Sequence, residues 1–322
     1  MQHDLSLERL MTLYLTACEA EGKSPSTLTA YRESLRMYLT IAAAEGLPLL
    51  ADEVAAADVY RYLACVRQRH VSDATQHRRH REMKHFFSWL KRMEIVSENP
   101  FQKVPLIRLE QKIIQPLEHA EIERLLNACR PETLLGARDR AITLFLLDTG
   151  VRASELTSLD LVDVDDEAGR ARILHAKGKK QRVVAFGPEV AVALRGYLSF
   201  RGGRPGPLFQ TRTGGRMRPQ GLIVIYQRLG VKAEVPRVHP HLFRHSFATM
   251  AIRGAAREID VQHLLGHSTS AMVRRYTRTY DAENAAVAHA AFSPVGQLVA
   301  NRASVDSLNS RLRRSAFDDY HR

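Results

Sequence analysis

Four separated stretches of the chain carry residue types suited to handling a phosphate. Thr149-Gly150-Val151-Arg152-Ala153-Ser154-Glu155-Leu156 offers an arginine just after a glycine, and His175-Ala176-Lys177-Gly178-Lys179-Lys180-Gln181-Arg182 a cationic turn. His239-Pro240-His241-Leu242-Phe243-Arg244-His245 sets an arginine among histidines, and Leu264-Leu265-Gly266-His267-Ser268 is followed by Tyr276, nine positions beyond His267. A phosphodiester spreads charge over its non-bridging oxygens when it is attacked, and guanidiniums grip such oxygens with forked, permanently charged donors that an ammonium cannot match. Imidazoles add hydrogen bonds or manage protons near neutral pH. A phenol, with a pKa of about 10, is a poor nucleophile until surrounding positive charge favours the phenolate.

In this order and spacing the four stretches closely resemble the tyrosine recombinase or phage-type integrase family, which includes Xer-like and transposon- or plasmid-associated site-specific recombinases. The resemblance covers about Pro116 to Tyr280, and Ser24-Pro25-Ser26-Thr27 leading into a Tyr31-Arg32 helix resembles the family's core-binding domain. It implies a catalytic set of Arg152, Lys177, His241, Arg244, His267 and Tyr276. Tyr276 would be the nucleophile, forming a 3′-phosphotyrosine link and freeing a 5′-hydroxyl. Arg152 and Arg244 would clamp the phosphate, and Lys177 would protonate the leaving oxygen. Trading a phosphodiester for a phosphotyrosine ester conserves bond energy, so neither ATP nor any other cofactor is expected. The fixed cations stand where a metal would otherwise supply charge.

Several of these residues have plainer readings. Lys177 shares its turn with Lys179 and Lys180, and precedence before Gly178 selects it by the family pattern. His241 and His245 lie four apart, as do His263 and His267, but neither pair has the glutamate of an HExxH site, and no metal ligand is expected. His239 and His245 read as capping or packing residues, with His245 also able to orient Arg244. Glu155 reads as a support for Arg152 or a helix cap. Tyr280 lies four beyond Tyr276 and reads as a packing tyrosine. Phe243 stands where the family commonly has leucine, and the 46 residues after Tyr276 exceed what the simplest members need. Residues 285–300 are expected to form a helix that docks on a neighbouring protomer.

These groups need a scaffold, and the chain is long enough for one. Its 322 residues fit two domains, with 45% hydrophobic and 25% charged residues, ordinary for a folded protein. Lys and Arg exceed Asp and Glu by 12, and the sequence pI is about 9.9, which fits a polyanionic partner. No apolar run approaches the ~18 residues of a membrane span, and the first residues lack the pattern of a secretory signal. Cys18, Cys65 and Cys129 have no CxxC spacing and read as free thiols in a reducing cytoplasm, so a cytoplasmic, nucleoid-associated protein is expected.

The first hundred residues read as helices: Leu5 to Ala20, a second capped by Ser26, a third over Val59 to Gln68, and a fourth from near Ser72. Residues 61–92 hold nine Lys and Arg against two acids. The fourth helix carries Arg78, Arg79, Arg81, Lys84 and Lys91 opposite Phe86, Phe87, Trp89 and Leu90, a pattern that suits either a DNA contact or a solvated cationic helix. Asn99-Pro100, Pro105 and Pro116 punctuate an extended basic linker. Beyond it, helices are expected from Glu118, over Asp139 to Thr149, Ala153 to Leu159, Glu189 to Ser199, Pro219 to Leu229, Phe243 to Arg253 and Ile259 to Leu264. A β-hairpin is expected from Arg170 to Phe186 with its turn at the lysines.

The expected fold is thus an α-helical N-terminal core-binding (SAM-like) bundle plus a mixed α+β, mainly helical catalytic domain with a small antiparallel sheet. The boundaries fall at 1–97 for the bundle, 98–115 for the linker, 116–284 for the catalytic domain and 285–322 for the C-terminal helix and tail. The resemblance implies a clamp around double-stranded DNA at specific, inverted-repeat core sites. It implies a homo-tetramer on two paired sites, with a related recombinase or accessory protein as a further partner and no membrane. Two rivals remain at this point: type IB topoisomerase-like relaxation, and a non-catalytic DNA-binding protein on the same scaffold. A separate helical N-terminal domain and the long tail argue for recombination.

Overall fold

The structure, a computed structural model, describes residues 6–110, 114–174, 181–266, 285, 289 and 293–295. The chain divides into two compact units, Met1–Lys112 and Ile113–Arg322. No helix among the described residues is long and apolar enough to cross a membrane.

The first unit contains α1 (Leu7–Ala20), α2 (Pro25–Glu45), α3 (Ala56–Gln68), α4 (Asp73–Arg92) and the short α5 (Pro100–Lys103). Serines start two of them: the side chains of Ser24 and Ser72 accept from the backbone N–H groups of Thr27 and Thr75 at 3.2 and 3.3 Å. The cap of α2 is therefore Ser24 rather than Ser26. Pro25 explains the shift, since its fixed φ and missing N–H suit the first helical position. Tyr14, Tyr38, Tyr62, Phe86, Phe87 and Leu90 are buried in one core.

The stretch expected to be an extended linker begins differently. Phe101 is buried, with ring centroids 5.2, 6.2 and 6.3 Å from Phe87, Tyr62 and Tyr38. Asn99 fixes the turn by accepting from the Phe101 N–H at 3.0 Å and donating to the Lys84 carbonyl at 2.9 Å and Ser88 Oγ at 2.8 Å. Residues 99–104 thus complete the N-terminal core. One aromatic on a four-residue helix has no periodicity to reveal it.

The second unit contains α6 (His119–Ala128), α7 (Leu134–Thr149), α8 (Ala153–Ser158), a 3-10 turn (Leu161–Asp163), β1 (Val164–Asp165), β2 (Arg170–Ile173), β3 (Arg182–Ala185), α9 (Pro188–Arg201), α10 (Pro219–Lys232), α11 (Pro240–Arg253) and α12 (Glu258–Leu265). The strands form one antiparallel sheet in the order β1-β2-β3, with Ala171 opposite Val184 and Ile173 opposite Arg182. The expected hairpin is therefore present in its strands, while its turn at 175–180 lies outside the described residues.

Helix α7 forms the centre of this unit. It begins five residues before the expected start, because Thr133 Oγ1 accepts from the Gly136 N–H at 3.1 Å. Its Phe145 and Leu146 are buried with Leu194 and Tyr197 of α9, Leu222 and Tyr226 of α10 and Phe243 of α11. The Phe243 ring lies 4.7 Å from that of Tyr226, so the aromatic that departs from the family's leucine keeps a core contact. Each such side chain, removed from water, contributes about 1.5–3 kcal/mol. Cys18 and Cys129 are buried, Cys65 is half-buried, and all three are free thiols.

Candidate active site

Gly150 closes α7 in the left-handed conformation, with φ +60°, and turns the chain straight into Val151 and Arg152. The position is tight as well as left-handed: a Cβ there would lie 2.5 Å from Phe247 Cδ1 and 2.7 Å from Leu265 Cδ2. The carbonyl of the same glycine accepts from Arg244 Nη1 at 2.8 Å, while Arg244 Nη2 donates to the Leu265 carbonyl at 2.8 Å. Arg244, on α11, is 1% exposed. Its guanidinium plane is therefore fixed by the carbonyl ends of α7 and α12, where unpaired C=O groups favour a cation.

The second arginine is held through a carboxylate. Glu155 lies one turn into α8 and is 1% exposed. It accepts from the Arg152 backbone N–H at 2.8 Å through Oε2 and from Arg152 Nη1 at 2.8 Å through Oε1. Arg182, the first residue of β3, donates to the same carboxylate through Nη1 at 3.0 Å and Nη2 at 2.8 Å, and its Nε donates to the Leu264 carbonyl at 2.8 Å. Burial by itself would raise the Glu155 carboxyl. The Arg182 hydrogen bonds, the Arg152 backbone N–H and the two positive charges outweigh it and bring the group down to about 2.

These contacts close into a ring. Arg152 is joined by Glu155 to Arg182, Arg182 to Leu264, the adjacent Leu265 to Arg244, and Arg244 back to Gly150, two residues before Arg152. Five elements, α7, α8, β3, α11 and α12, thus meet around two of the expected catalytic residues, Arg152 and Arg244. His241 stands on the first turn of α11, three residues before Arg244 and exposed. Lys177, His267 and Tyr276 lie outside the described residues, as do Tyr280 and all but a few positions of 285–300.

The neighbouring histidines take the packing roles expected of them. His239 caps α11, its Nδ1 accepting from the Leu242 N–H at 3.3 Å. His245 is buried with its Nδ1 3.4 Å from Thr249 Oγ1, and burial, with the nearby His241, lowers it to about 4. Among the described residues no group of His, Cys, Asp and Glu side chains gathers in a metal-holding arrangement.

In the N-terminal unit, Arg78, Arg81 and Lys84 line an open groove between α2 and α4, with Ser26, Thr27 and Tyr31 on its other side. Lys91 is exposed on α4 outside that lining. Arg79, expected on the same basic face, is buried instead. Its Nη1 donates to Ser34 Oγ at 2.8 Å, Ser34 donates to Glu82, and Glu33 lies 3.6 Å from Nη2. Helical phase places Arg79 four, seven and eight residues before Met83, Phe86 and Phe87, on the buried stripe of α4, and Ser34 gives it a partner inside the bundle. Sequence reasoning also passed over Arg182, one more cation after a lysine-rich turn. Only its spacing opposite Ile173 in the hairpin marks it.

Both the bundle and the site-bearing unit match known sequences. Residues 12–94 match the phage integrase N-terminal SAM-like domain and residues 115–283 match the phage integrase family, to which this chain belongs; it is a tyrosine recombinase. It is 32% identical over 275 residues to tyrosine recombinase XerC of Pelobacter propionicus, covering 84% of this chain and 90% of that protein. It is likewise 32% identical over 266 residues to tyrosine recombinase XerD of Ralstonia nicotianae, covering 80% of this chain and 85% of that protein. Its fold is similar to that of the Tn1549 transposon integrase in complex with a circular intermediate DNA, with a TM-score of 0.70 at 20% identity over 85% of this chain and 95% of that one. XerH bound to palindromic difH substrate gives a TM-score of 0.68 at 21% identity, over 85% of this chain and 82% of that one.

Proposed function

We propose that this chain is a site-specific DNA recombinase that cleaves and rejoins strands through a covalent 3′-phosphotyrosine intermediate. The observation that carries the reading is the ring of contacts fixing Arg152 and Arg244, because a pair of preorganised guanidiniums is what a phosphoryl group in transfer requires. In this mechanism the two arginines hold the non-bridging oxygens, with His241 and His267 adding hydrogen bonds. The Tyr276 phenol gives its proton to one of the imidazoles, and its oxygen attacks phosphorus. A new O–P bond forms as the bond to the 5′ oxygen breaks, and Lys177 supplies the proton that converts that oxygen to a hydroxyl. Resealing reverses the step with a 5′-hydroxyl as the nucleophile. No metal or ATP takes part.

Duplex DNA carrying inverted-repeat core sites is the substrate. The N-terminal unit approaches it with Arg78, Arg81 and Lys84 in the α2–α4 groove and with Lys91, whereas Arg79 supports that surface from inside. Four copies act on two paired sites, with residues 285–300 linking neighbouring copies. A related recombinase or an accessory factor completes the assembly, and the protein works on the nucleoid in the cytoplasm. The test is a nicked suicide duplex whose sequence is selected from a randomised pool by retention on the protein. Wild type should become covalently attached and Tyr276→Phe should not. An adduct that survives Tyr276→Phe, or relaxation of plasmid lacking the selected site, overturns the reading.

A further inference from the structure

Arg152 faces a difficulty as a phosphate clamp. Its guanidinium donates to Glu155, a buried carboxylate kept ionised far below its usual range. A one-to-one pair of this kind would be neutral, and a carboxylate free to take both faces of the guanidinium would draw it away from solvent. The Arg152 side chain is nonetheless 25% exposed, and among the described residues its guanidinium has Glu155 as its only partner, through Nη1 alone.

The reason is Arg182. It engages both carboxylate oxygens of Glu155, and Nε anchors it to the last turn of α12. Its side chain is 11% exposed, and the space beside it is closed, since a Cβ on Gly266 would lie 3.0 Å from Arg182 Nη1. Two guanidiniums around one carboxylate leave a net positive charge. Coulomb terms are larger where water is excluded, so the carboxylate is offset mainly by the more buried Arg182 and takes less from the more exposed Arg152.

We propose that Arg182 is a positioning residue that neutralises Glu155 and so leaves the guanidinium of Arg152 free to hold the scissile phosphate. The inference rests on the reading of Arg152 as a phosphate clamp. Arg182 touches neither phosphate nor nucleophile in this account. Without it, Glu155 would claim Arg152 by both oxygens.

The test uses the full-length protein and the selected suicide duplex in two forms, one with an ordinary scissile phosphate and one with a methylphosphonate, which lacks the charged non-bridging oxygen. On ordinary phosphate, Arg182→Gln should cleave about 100-fold more slowly than wild type, the scale of losing one preorganised charge. Its duplex affinity should stay unchanged. On methylphosphonate the gap between wild type and variant should narrow to within about tenfold, as it should for Arg152→Gln, because the neutral group no longer needs that charge. A generally loosened site would lose rate on both substrates alike, and that result overturns the proposal, as does full-rate cleavage by Arg182→Gln. If Arg182→Gln does not fold, Arg182→Lys, which keeps the charge without the forked grip on both carboxylate oxygens, replaces it and should be slowed less than about 100-fold on ordinary phosphate, with the gap closing on methylphosphonate. Arg182→Lys slowed alike on both substrates overturns the proposal. Absence of any Tyr276-dependent adduct with wild type instead removes the functional reading beneath it.

Discussion

Replacing Gly150 by alanine probes the hinge on which both fixed arginines depend. The residue has φ +60°, a region that costs a non-glycine residue about 1–2 kcal/mol. The added methyl would also meet Phe247 Cδ1 at 2.5 Å and Leu265 Cδ2 at 2.7 Å, and such overpacking costs a further ~1–3 kcal/mol. Against a total stability of about 5–15 kcal/mol, that is a heavy loss. The direction of relief matters more than its size. The atoms that must yield belong to α11 and to Leu265, and the carbonyls of Gly150 and Leu265 both accept from Arg244. Cleavage should therefore fall by ~100-fold at a temperature where the variant is still folded, since displacing a catalytic group by an ångström has that effect. Gly46→Ala is the control: φ is +62° but nothing lies within 4 Å, so it should cost only the ~1–2 kcal/mol backbone term and leave cleavage intact. Urea unfolding and adduct formation on the selected duplex read the two effects. Equal stability loss in both variants, or undiminished cleavage by Gly150→Ala, would refute the reasoning.

Three further outcomes follow from other parts of the chain. Arg78→Ala and Lys84→Ala should each weaken duplex binding and reduce the slope of log affinity against log salt by about 1, whereas Arg79→Ala should leave that slope alone and destabilise the bundle by about 1–3 kcal/mol through its orphaned partners; filter binding across a salt series separates them. Phe101→Ala should cost the N-terminal unit about 3–5 kcal/mol in urea, and a loss below ~0.5 kcal/mol would return the residue to a linker. The folded His245 imidazole sits near 4, below its ordinary 6.5, so the unfolded chain binds the proton more readily. Its contribution is present above about pH 6.5 and is lost as pH falls toward 4, amounting to about 2 kcal/mol by pH 5, and His245→Phe should flatten that part of the urea-midpoint profile.

Much of this arrangement is legible in the sequence because its determinants are local. Ser72, Gly150 and Pro219 mark helix ends by chemistry that acts within a few residues, and the helices stand close to where those signals put them. The order of Arg152, His241 and Arg244 along the chain likewise carries the family resemblance without any geometry. What escapes is long-range pairing. Arg79 shares the helical phase of Met83 and Phe86, but its charge reads as exposed until Ser34, 45 positions away, supplies a buried acceptor. Phe101 joins a core that begins at Leu7, and Arg182 meets Glu155 across 27 positions. A single chain's spacing cannot tell an arginine aimed at DNA from one that balances a buried carboxylate.

The most direct test of the account is the identity of the atom that carries DNA. The adduct with the selected suicide duplex is digested with protease and nuclease, and tandem mass spectrometry locates the nucleotide on the remaining peptide. The account predicts a 3′-phosphate esterified to the hydroxyl of Tyr276 and a free 5′-hydroxyl on the departing strand. A phosphate on any other side chain, or a 5′-phosphate on the departing strand, would contradict it.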